Sequence, residues 1–321
     1  MMTKKAKILA TRQFPKNVLD RLYQDYDVTI NPSLNPMSPE DVIEKSKGMD
    51  GIICDPTCLF DPELVAALDD SVKIITTFSV GYDHLNVDAI KGRGIALGNT
   101  PDVLTDATAD ITLLCMLGAS RMAYSAGQAL RRGDWKSWSP IEFLGTHMSG
   151  KKLAILGMGR IGEAVARRAK GFDMQIHYHN RRQVEARGLE DATYHSELGS
   201  LLAEAEFLSI NCPLTPNTHH LINEAAINQL PDGAVLVNTA RGPIVDDSAV
   251  INALKSGKLA AAGLDVFEGE PDFNKGYLDL KNVFLLPHIG SATHETRDQM
   301  GFKCLDNLDA FFSGQPVPNP I

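Results

Sequence analysis

No apolar run in this 321-residue chain reaches the ~18 positions a helix needs to cross a bilayer, so membrane insertion is not expected. No cluster of Lys and Arg is longer than two residues, and the formal net charge is -9. That balance argues against a nucleic-acid surface, although a local basic pocket could still hold a small anion. The N-terminal MMTKKAKILATRQF has a basic start but lacks both a sustained apolar stretch and a small-residue cleavage site, so no secretory signal is expected. The five cysteines, Cys54, Cys58, Cys115, Cys212 and Cys304, are odd in number and show neither CxxC nor Cys/His metal spacing. They read as reduced, mostly buried thiols of a cytoplasmic protein, with no disulfide framework and no metal centre expected. With 44% apolar and 22% charged residues, what remains is a soluble globular protein whose partners are small molecules.

The length suits two domains, since single cores stop growing near ~250 to 300 residues, and two domains imply a cleft. Residues 1–101 alternate short apolar runs (AKILAT, DVTIN, DGIICD, VKIITTF, IALGN) with polar helical segments such as PKNVLDRLYQDY and SPEDVIEKSKG. This βαβα order predicts a parallel sheet with helices on its faces. The fourth strand runs out into SVGYDHLNV, where backbone N–H groups of Val80 and Gly81 would lie beyond a strand's carboxyl end, the place such sheets bind ligands. A plain turn is the alternative.

NTPD at 99–102 breaks the pattern, and VLTDATADITLLCMLGASRM reads as one long apolar helix. The next stretch, AYSAGQALRRGDWKSWSPIEFLG, reads as irregular and carries both tryptophans, Trp135 and Trp138. It is either an exposed aromatic arm that covers a partner subunit or a filler of the core.

The run KKLAILGMGRIG, residues 151–162, followed by EAVARRAKGF, has the form of strand, tight turn and helix. Gly157 would allow the turn, Gly159 would let a pyrophosphate approach the backbone, and Gly162 would let helix and strand pack closely. Further strands (MQIHYH, FLSIN, AVLVNT, AAAGLDV, VFLLPH) follow, separated by helical segments. Their ends supply Asn180, Pro213, Arg241, Asp265 and His288, placing the unusual polar residues on one rim. The last segment, THETRDQMGFKCLDNLDAFFSG, reads as a helix with Met300, Leu305 and Leu308 on an apolar face, expected to pack back on the first domain. In many dinucleotide folds an acidic residue ends the second strand and binds the adenosine ribose. Here Asn180 stands there, followed by Arg181 and Arg182, which favours a 2′-phosphate and hence NADP(H) over NAD(H). A solvated basic loop is the bland alternative.

Three further stretches, NTARGPIVD, GLDVFEGEP and LLPHIGSAT, together with the glycine run, make the sequence resemble the D-isomer-specific 2-hydroxyacid dehydrogenases over almost its whole length. The resemblance is to the glyoxylate/hydroxypyruvate reductases in particular. It implies a catalytic set of Arg241, Glu270 and His288. Read singly, these residues would equally fit a surface salt bridge, a turn residue and a core histidine. Reduction of a 2-keto acid passes hydride to the carbonyl carbon while the oxygen takes a proton. His288 would give that proton, Glu270 would orient the imidazole, and Arg241 would hold the substrate carboxylate and polarise the carbonyl. Val80, Gly81 and Ser291 would bind the substrate.

The resemblance further implies cofactor contacts from Arg160 and Ile161 at the pyrophosphate and from Thr105 on the phosphate side. Pro213 would meet the adenine region, with Thr218 a further cofactor contact. Thr239 and Ala240 would meet the nicotinamide ribose side, and Asp265 the carboxamide. It implies a Rossmann cofactor domain over 102–291 and a flavodoxin-like substrate domain made of 1–101 plus 292–321. Both are doubly wound α/β units flanking a cleft, usually in a homodimer, where Trp138 from a neighbouring subunit would line the substrate pocket. The expected activity is NADPH-dependent reduction of glyoxylate and hydroxypyruvate, with NAD(H) possible. The alternatives are another D-2-hydroxyacid dehydrogenase acting on lactate- or phenyllactate-like substrates, or a dinucleotide-sensing corepressor-like protein. CDPTCLFD, in the loop facing the substrate, leaves the side-chain preference unread beyond favouring a small acid.

Overall fold

The computed structural model describes residues 5–321, which fall into two compact units. One comprises the chain up to Leu104 together with Ser291–Ile321; the other is Thr105–Gly290. In the first, strands β1 (Lys7–Ala10), β2 (Asp27–Ile30), β3 (Gly51–Cys54), β4 (Ile74–Thr77) and β5 (Ala96–Gly98) form a parallel sheet of order β2-β1-β3-β4-β5. Its inner strands β1 and β3 read as apolar runs because both faces are covered, whereas the edge strand β2 is only half-buried. Leu9, Ile52 and Ile75 pack into one core, and Ile8, Ala10, Ile53 and Ile74 into another. The helix His294–Phe312 closes the second core with Met300, Leu305 and Leu308. It approaches the helix Lys16–Asp25 so closely that a Cβ at Gly301 would collide with Val18.

The second unit carries β6 (Lys152–Leu156), β7 (Gln175–His179), β8 (Thr193–His195), β9 (Phe207–Ile210), β10 (Ala234–Asn238), β11 (Leu259–Leu264) and β12 (Val283–Leu285). All pair in parallel, in the order β12-β11-β10-β9-β6-β7-β8. The order reverses between β6 and β9, so the two strands that follow in opposite directions leave a crevice beyond their carboxyl ends. Side chains alternate across β6: Leu153 and Ile155 enter one core, Ala154 and Leu156 the other. The helix Thr105–Ser120 contributes Leu113, Cys115 and Met116 to the former.

Two expectations need correction. The stretch read as irregular after Met122 begins with a helix, Ala123–Arg132, which starts behind a left-handed Met122 and ends on a left-handed Gly133. The helix buries only Ala129, and Arg131 and Arg132 in its last turn suit the helix dipole. The tryptophans do not fill a core: Trp135 is 52% and Trp138 78% exposed. The three-residue edge strand β8 also had no counterpart in the sequence reading. No helix among the described residues is long and apolar enough to cross a membrane. All five cysteines are free; burial pushes Cys58 and Cys304 up to about 12 and Cys212 to about 11.

Candidate active site

The turn after β6 is built by glycines that have different physical constraints. Gly157 has φ +100°, and a Cβ there would stand 2.6 Å from the Cys212 nitrogen at the end of β9. A Cβ on Gly162 would collide with the Gly157 carbonyl, so this residue sets how closely the helix Arg160–Ala169 meets β6. Gly159 is the N-cap of that helix, has no capping side chain, and has nothing within 4 Å of where its Cβ would be. The result is an open cradle at a helix N-terminus, where the first N–H groups, including those of Arg160 and Ile161, lack intrahelical acceptors. The site fits a dinucleotide pyrophosphate, since the space and the donors coincide at the crevice between β6 and β9.

Asn180, one residue beyond β7, clasps this turn. Its Oδ1 accepts from Met158 N–H at 2.7 Å and its Nδ2 donates to the Met158 carbonyl at 3.1 Å. The side chain is thus a brace for the glycine loop, and the adjacent charges belong to Arg181 and Arg182, both exposed and in no ion pair among the described residues. Pro213 and Thr218 share one turn, with the Thr218 hydroxyl donating to the Pro213 carbonyl at 2.8 Å. Sequence reasoning missed Asn211, which follows β9 beside Gly157 and whose buried Nδ2 has no hydrogen-bond partner. Only the strand order, which brings β9 next to β6, reveals its place.

Farther along the rim, β10 ends in Asn238, whose amide accepts from Ala240 N–H at 3.1 Å and donates to the Arg241 carbonyl at 2.9 Å. Thr239 is held by Thr112 at 2.8 Å. Gly242 is a further residue the sequence reading passed over: a Cβ there would collide with the backbone of Phe267 and Glu268. That close approach brings the Arg241 turn against the loop that carries Glu270. Glu270 Oε2 accepts from Phe267 N–H at 3.1 Å, and Oε1 lies 2.5 Å from His288 Nδ1. Side-chain exposures of 36% and 40% leave both reachable from solvent.

His288 has φ +53°, uncommon for a residue with a Cβ. The conformation is held by its N–H donating to the Asp265 carbonyl at 2.8 Å, while the Asp265 carboxylate accepts from Ile289 and Gly290 N–H at 2.8 and 2.7 Å. Burial of Asp265 raises its pKa against the opposing pull of those two donors. Nearby, His220 Nε2 meets Glu268 Oε2 at 3.0 Å, tying the 218–220 turn to the same loop.

The second unit therefore gathers Arg241, Glu270 and His288 on the strand-end rim that also carries the glycine cradle. Thr105 opens the long helix of that unit, and Trp138 stands exposed on it. Val80, Gly81 and Ser291 belong to the first unit. The carbonyls of Val80 and Gly81 accept from Asn99 Nδ2 and the Ser79 hydroxyl, whereas among the described residues no acceptor is paired with their N–H groups.

Residues 113–290 match the sequence model of the D-isomer specific 2-hydroxyacid dehydrogenase, NAD binding domain. The chain is 41% identical to a glycerate dehydrogenase of Hyphomicrobium methylovorum, with 97% of each chain covered. It is likewise 41% identical to a glyoxylate reductase of Thermococcus litoralis, covering 99% of this chain and 97% of that one. Among solved structures, it superposes on an NADPH-dependent glyoxylate/hydroxypyruvate reductase from Sinorhizobium meliloti, in complex with NADP and malonate, with a TM-score of 0.88. That match has 34% identity and covers 99% and 97% of the two chains. The chain belongs to the D-isomer specific 2-hydroxyacid dehydrogenase family and is an NAD(P)-dependent enzyme of that family.

Proposed function

We propose that this enzyme reduces glyoxylate and hydroxypyruvate to glycolate and D-glycerate, with NADPH as the preferred reductant. The observation that carries the reading is the His288–Glu270 pair at 2.5 Å beside the Arg241 turn. With Nδ1 engaged by the Glu270 carboxylate, His288 presents Nε2 to the substrate oxygen and delivers the proton as charge develops there. Asp265 holds the backbone on either side of that imidazole and meets the carboxamide. Arg241 binds the substrate carboxylate through its planar fork and polarises the carbonyl. Val80, Gly81 and Ser291, all in the first unit, are further substrate-binding residues, which makes that unit the substrate domain. When bound, the reduced nicotinamide supplies the hydride.

Gly157, Gly159, Arg160, Ile161 and Gly162 hold the pyrophosphate. Pro213 and Thr218 flank the adenine, and Thr105, Thr239 and Ala240 approach the phosphate and nicotinamide ribose. The preference for NADPH is supported by two exposed arginines directly after β7 and by the neutral Asn180, where a carboxylate would repel a 2′-phosphate. The Sinorhizobium relative, described as NADPH-dependent, points the same way. Exposed Trp138, Ile141 and Leu144 on the segment after the helix Ala123–Arg132 suit the interface of a homodimer in which Trp138 reaches the neighbouring subunit's substrate pocket. The free, mostly buried thiols suit a cytoplasmic enzyme.

Initial rates for glyoxylate, hydroxypyruvate and pyruvate with each nicotinamide test the proposal. Preference for NADH by about tenfold, roughly 1.4 kcal/mol, would overturn the cofactor reading, and no turnover of any 2-keto acid would overturn the reaction.

A further inference from the structure

Three side chains of the second unit that take no part in the reaction proposed above, His219, His220 and Glu268, gather at one place. The two histidines are neighbours in sequence, and neighbours on an extended chain point to opposite sides. His220, however, has φ +47°, a left-handed conformation uncommon for a residue with a Cβ. The rings stand together on one side, stacked with centroids 4.1 Å apart and planes at 28°. Backbone hydrogen bonds hold them there: His219 N–H donates to the Thr215 carbonyl at 3.0 Å, and His220 N–H to the Pro243 carbonyl at 2.8 Å. Glu268, 48 residues beyond His220, turns its carboxylate to both rings. Oε2 lies 3.0 Å from His220 Nε2 and Oε1 3.8 Å from His219 Nε2. That separation in the chain is why no metal-ligand spacing shows in the sequence here.

One nitrogen of each imidazole and a carboxylate oxygen fall within 4.8 Å of one another. Zinc lies about 2.0–2.2 Å from such atoms, which sets the ligand atoms of a tetrahedral site roughly 3.3 Å apart. Closing the cluster on an ion therefore takes side-chain adjustments of about an ångström. Side-chain exposures of 52%, 36% and 40% for His219, His220 and Glu268 leave a way in for the ion and room for water as a fourth ligand. A hydrogen bond from His220 to Glu268 alone gives no use to a second imidazole stacked on the first. As cations the two rings would repel each other, whereas as neutral rings they offer two lone pairs to one ion. The neighbourhood is acidic. Burial raises the Asp247 carboxyl above its ordinary range, Glu268 and Asp246 push the same way, and His220 opposes them. A cation set between Glu268 and the histidines offsets that charge, and imidazole nitrogens select zinc, nickel or copper over magnesium or calcium.

We propose that His219, His220 and Glu268 are the protein ligands of a site for a divalent transition metal of the zinc class, with water completing a tetrahedron. The ion clasps the turn that carries the histidines to the loop that leads into Glu270. None of the three ligands is assigned to the reaction, so the inference stands or falls independently of the reductase reading.

The test titrates tag-free protein, dialysed against a chelator, with Co2+ and follows the visible absorption that tetrahedral coordination of this ion produces, then adds Zn2+ as competitor. Wild type, His219→Ala and Glu268→Gln are compared. His195→Ala serves as control, because His177 and His195 form a second imidazole pair on β7 and β8. The wild type is expected to take up one Co2+ per chain with a tetrahedral spectrum, displaced by Zn2+ and not by Mg2+. Affinity falls by at least about tenfold in His219→Ala and in Glu268→Gln, since losing a ligand costs no less than losing a group that only orients one. It is unchanged in His195→Ala. The absence of a tetrahedral spectrum in the wild type overturns the inference, as does a smaller loss in His219→Ala or a loss in His195→Ala instead. The wild-type spectrum decides even if a variant fails to fold.

Discussion

Alanine at Gly159 and alanine at Gly162 should have opposite effects, although the two positions are three residues apart in one motif. Gly159 has φ -96° and ψ -164°, an extended conformation that alanine adopts without strain, and its Cβ would meet nothing within 4 Å. The folded state has no reason to suffer, and restricting the unfolded chain stabilises it by about 0.4–1 kcal/mol. The new methyl nevertheless fills the space a pyrophosphate must enter to reach the helix N–H groups. Crowding of that kind costs about 1–3 kcal/mol, so NADPH affinity should fall roughly 5- to 150-fold.

At Gly162 the Cβ collides with the Gly157 carbonyl and would also lie 3.1 Å from Ile155 Cγ2. Backbone cannot yield as a flexible side chain does, so the helix must move off the strand. The cost is again about 1–3 kcal/mol, but here it appears as a fall in Tm of roughly 2–4 °C per kcal/mol. Thermal unfolding of both variants, paired with calorimetric titration of NADPH, separates the two effects. Gly159→Ala binding NADPH within about twofold of wild type would refute the assignment of this turn to the pyrophosphate. An undiminished Tm for Gly162→Ala would refute the close packing of helix on strand.

Two further changes probe the rim. Arg181→Asp replaces a phosphate contact by a repulsion and should lower kcat/KM with NADPH by about 10- to 100-fold while NADH use changes by less than about threefold; equal losses with both cofactors would mean that Arg181 is only a solvated charge. Glu270→Gln removes the charged acceptor of His288. A charge-assisted hydrogen bond contributes about 1.5–3 kcal/mol, and with side chains 36% and 40% exposed solvent screening reduces this to about 1–2 kcal/mol. A fall in kcat/KM of about 5- to 30-fold with unchanged NADPH affinity is expected, and an unchanged kcat/KM would contradict the role given to the pair.

What could be read in the sequence followed from local signals. The apolar runs marked the strands of both sheets except the short edge strand β8, because parallel strands covered on both faces carry an unbroken apolar signature and an exposed edge does not. The glycine turn and the TARG, FEGEP and LLPH stretches stood out as punctuation. What could not be read depends on contacts between segments distant in the chain. Asn180 was placed at a strand end, but its grip on Met158 requires β7 to lie beside β6. Gly242 is forced to be glycine by a loop 25 residues away, a pairing with no local trace. The helix Ala123–Arg132 buries only Ala129 and has no side-chain N-cap, so neither a core-filling face nor a start signal announced it. CDPTCLFD stayed silent because its place past the end of β3 gains meaning only from the strand order, a property of the folded sheet.

The central claim is that His288 protonates a 2-keto acid while the reduced nicotinamide of NADPH is consumed. The most direct test follows the absorbance of NADPH with hydroxypyruvate for the wild type and His288→Asn, together with NADPH affinity of each. The account predicts rapid hydroxypyruvate-dependent oxidation by the wild type, a loss of at least about 100-fold in kcat for the variant, and little change in NADPH affinity. Oxidation by His288→Asn at a rate close to that of the wild type would contradict it.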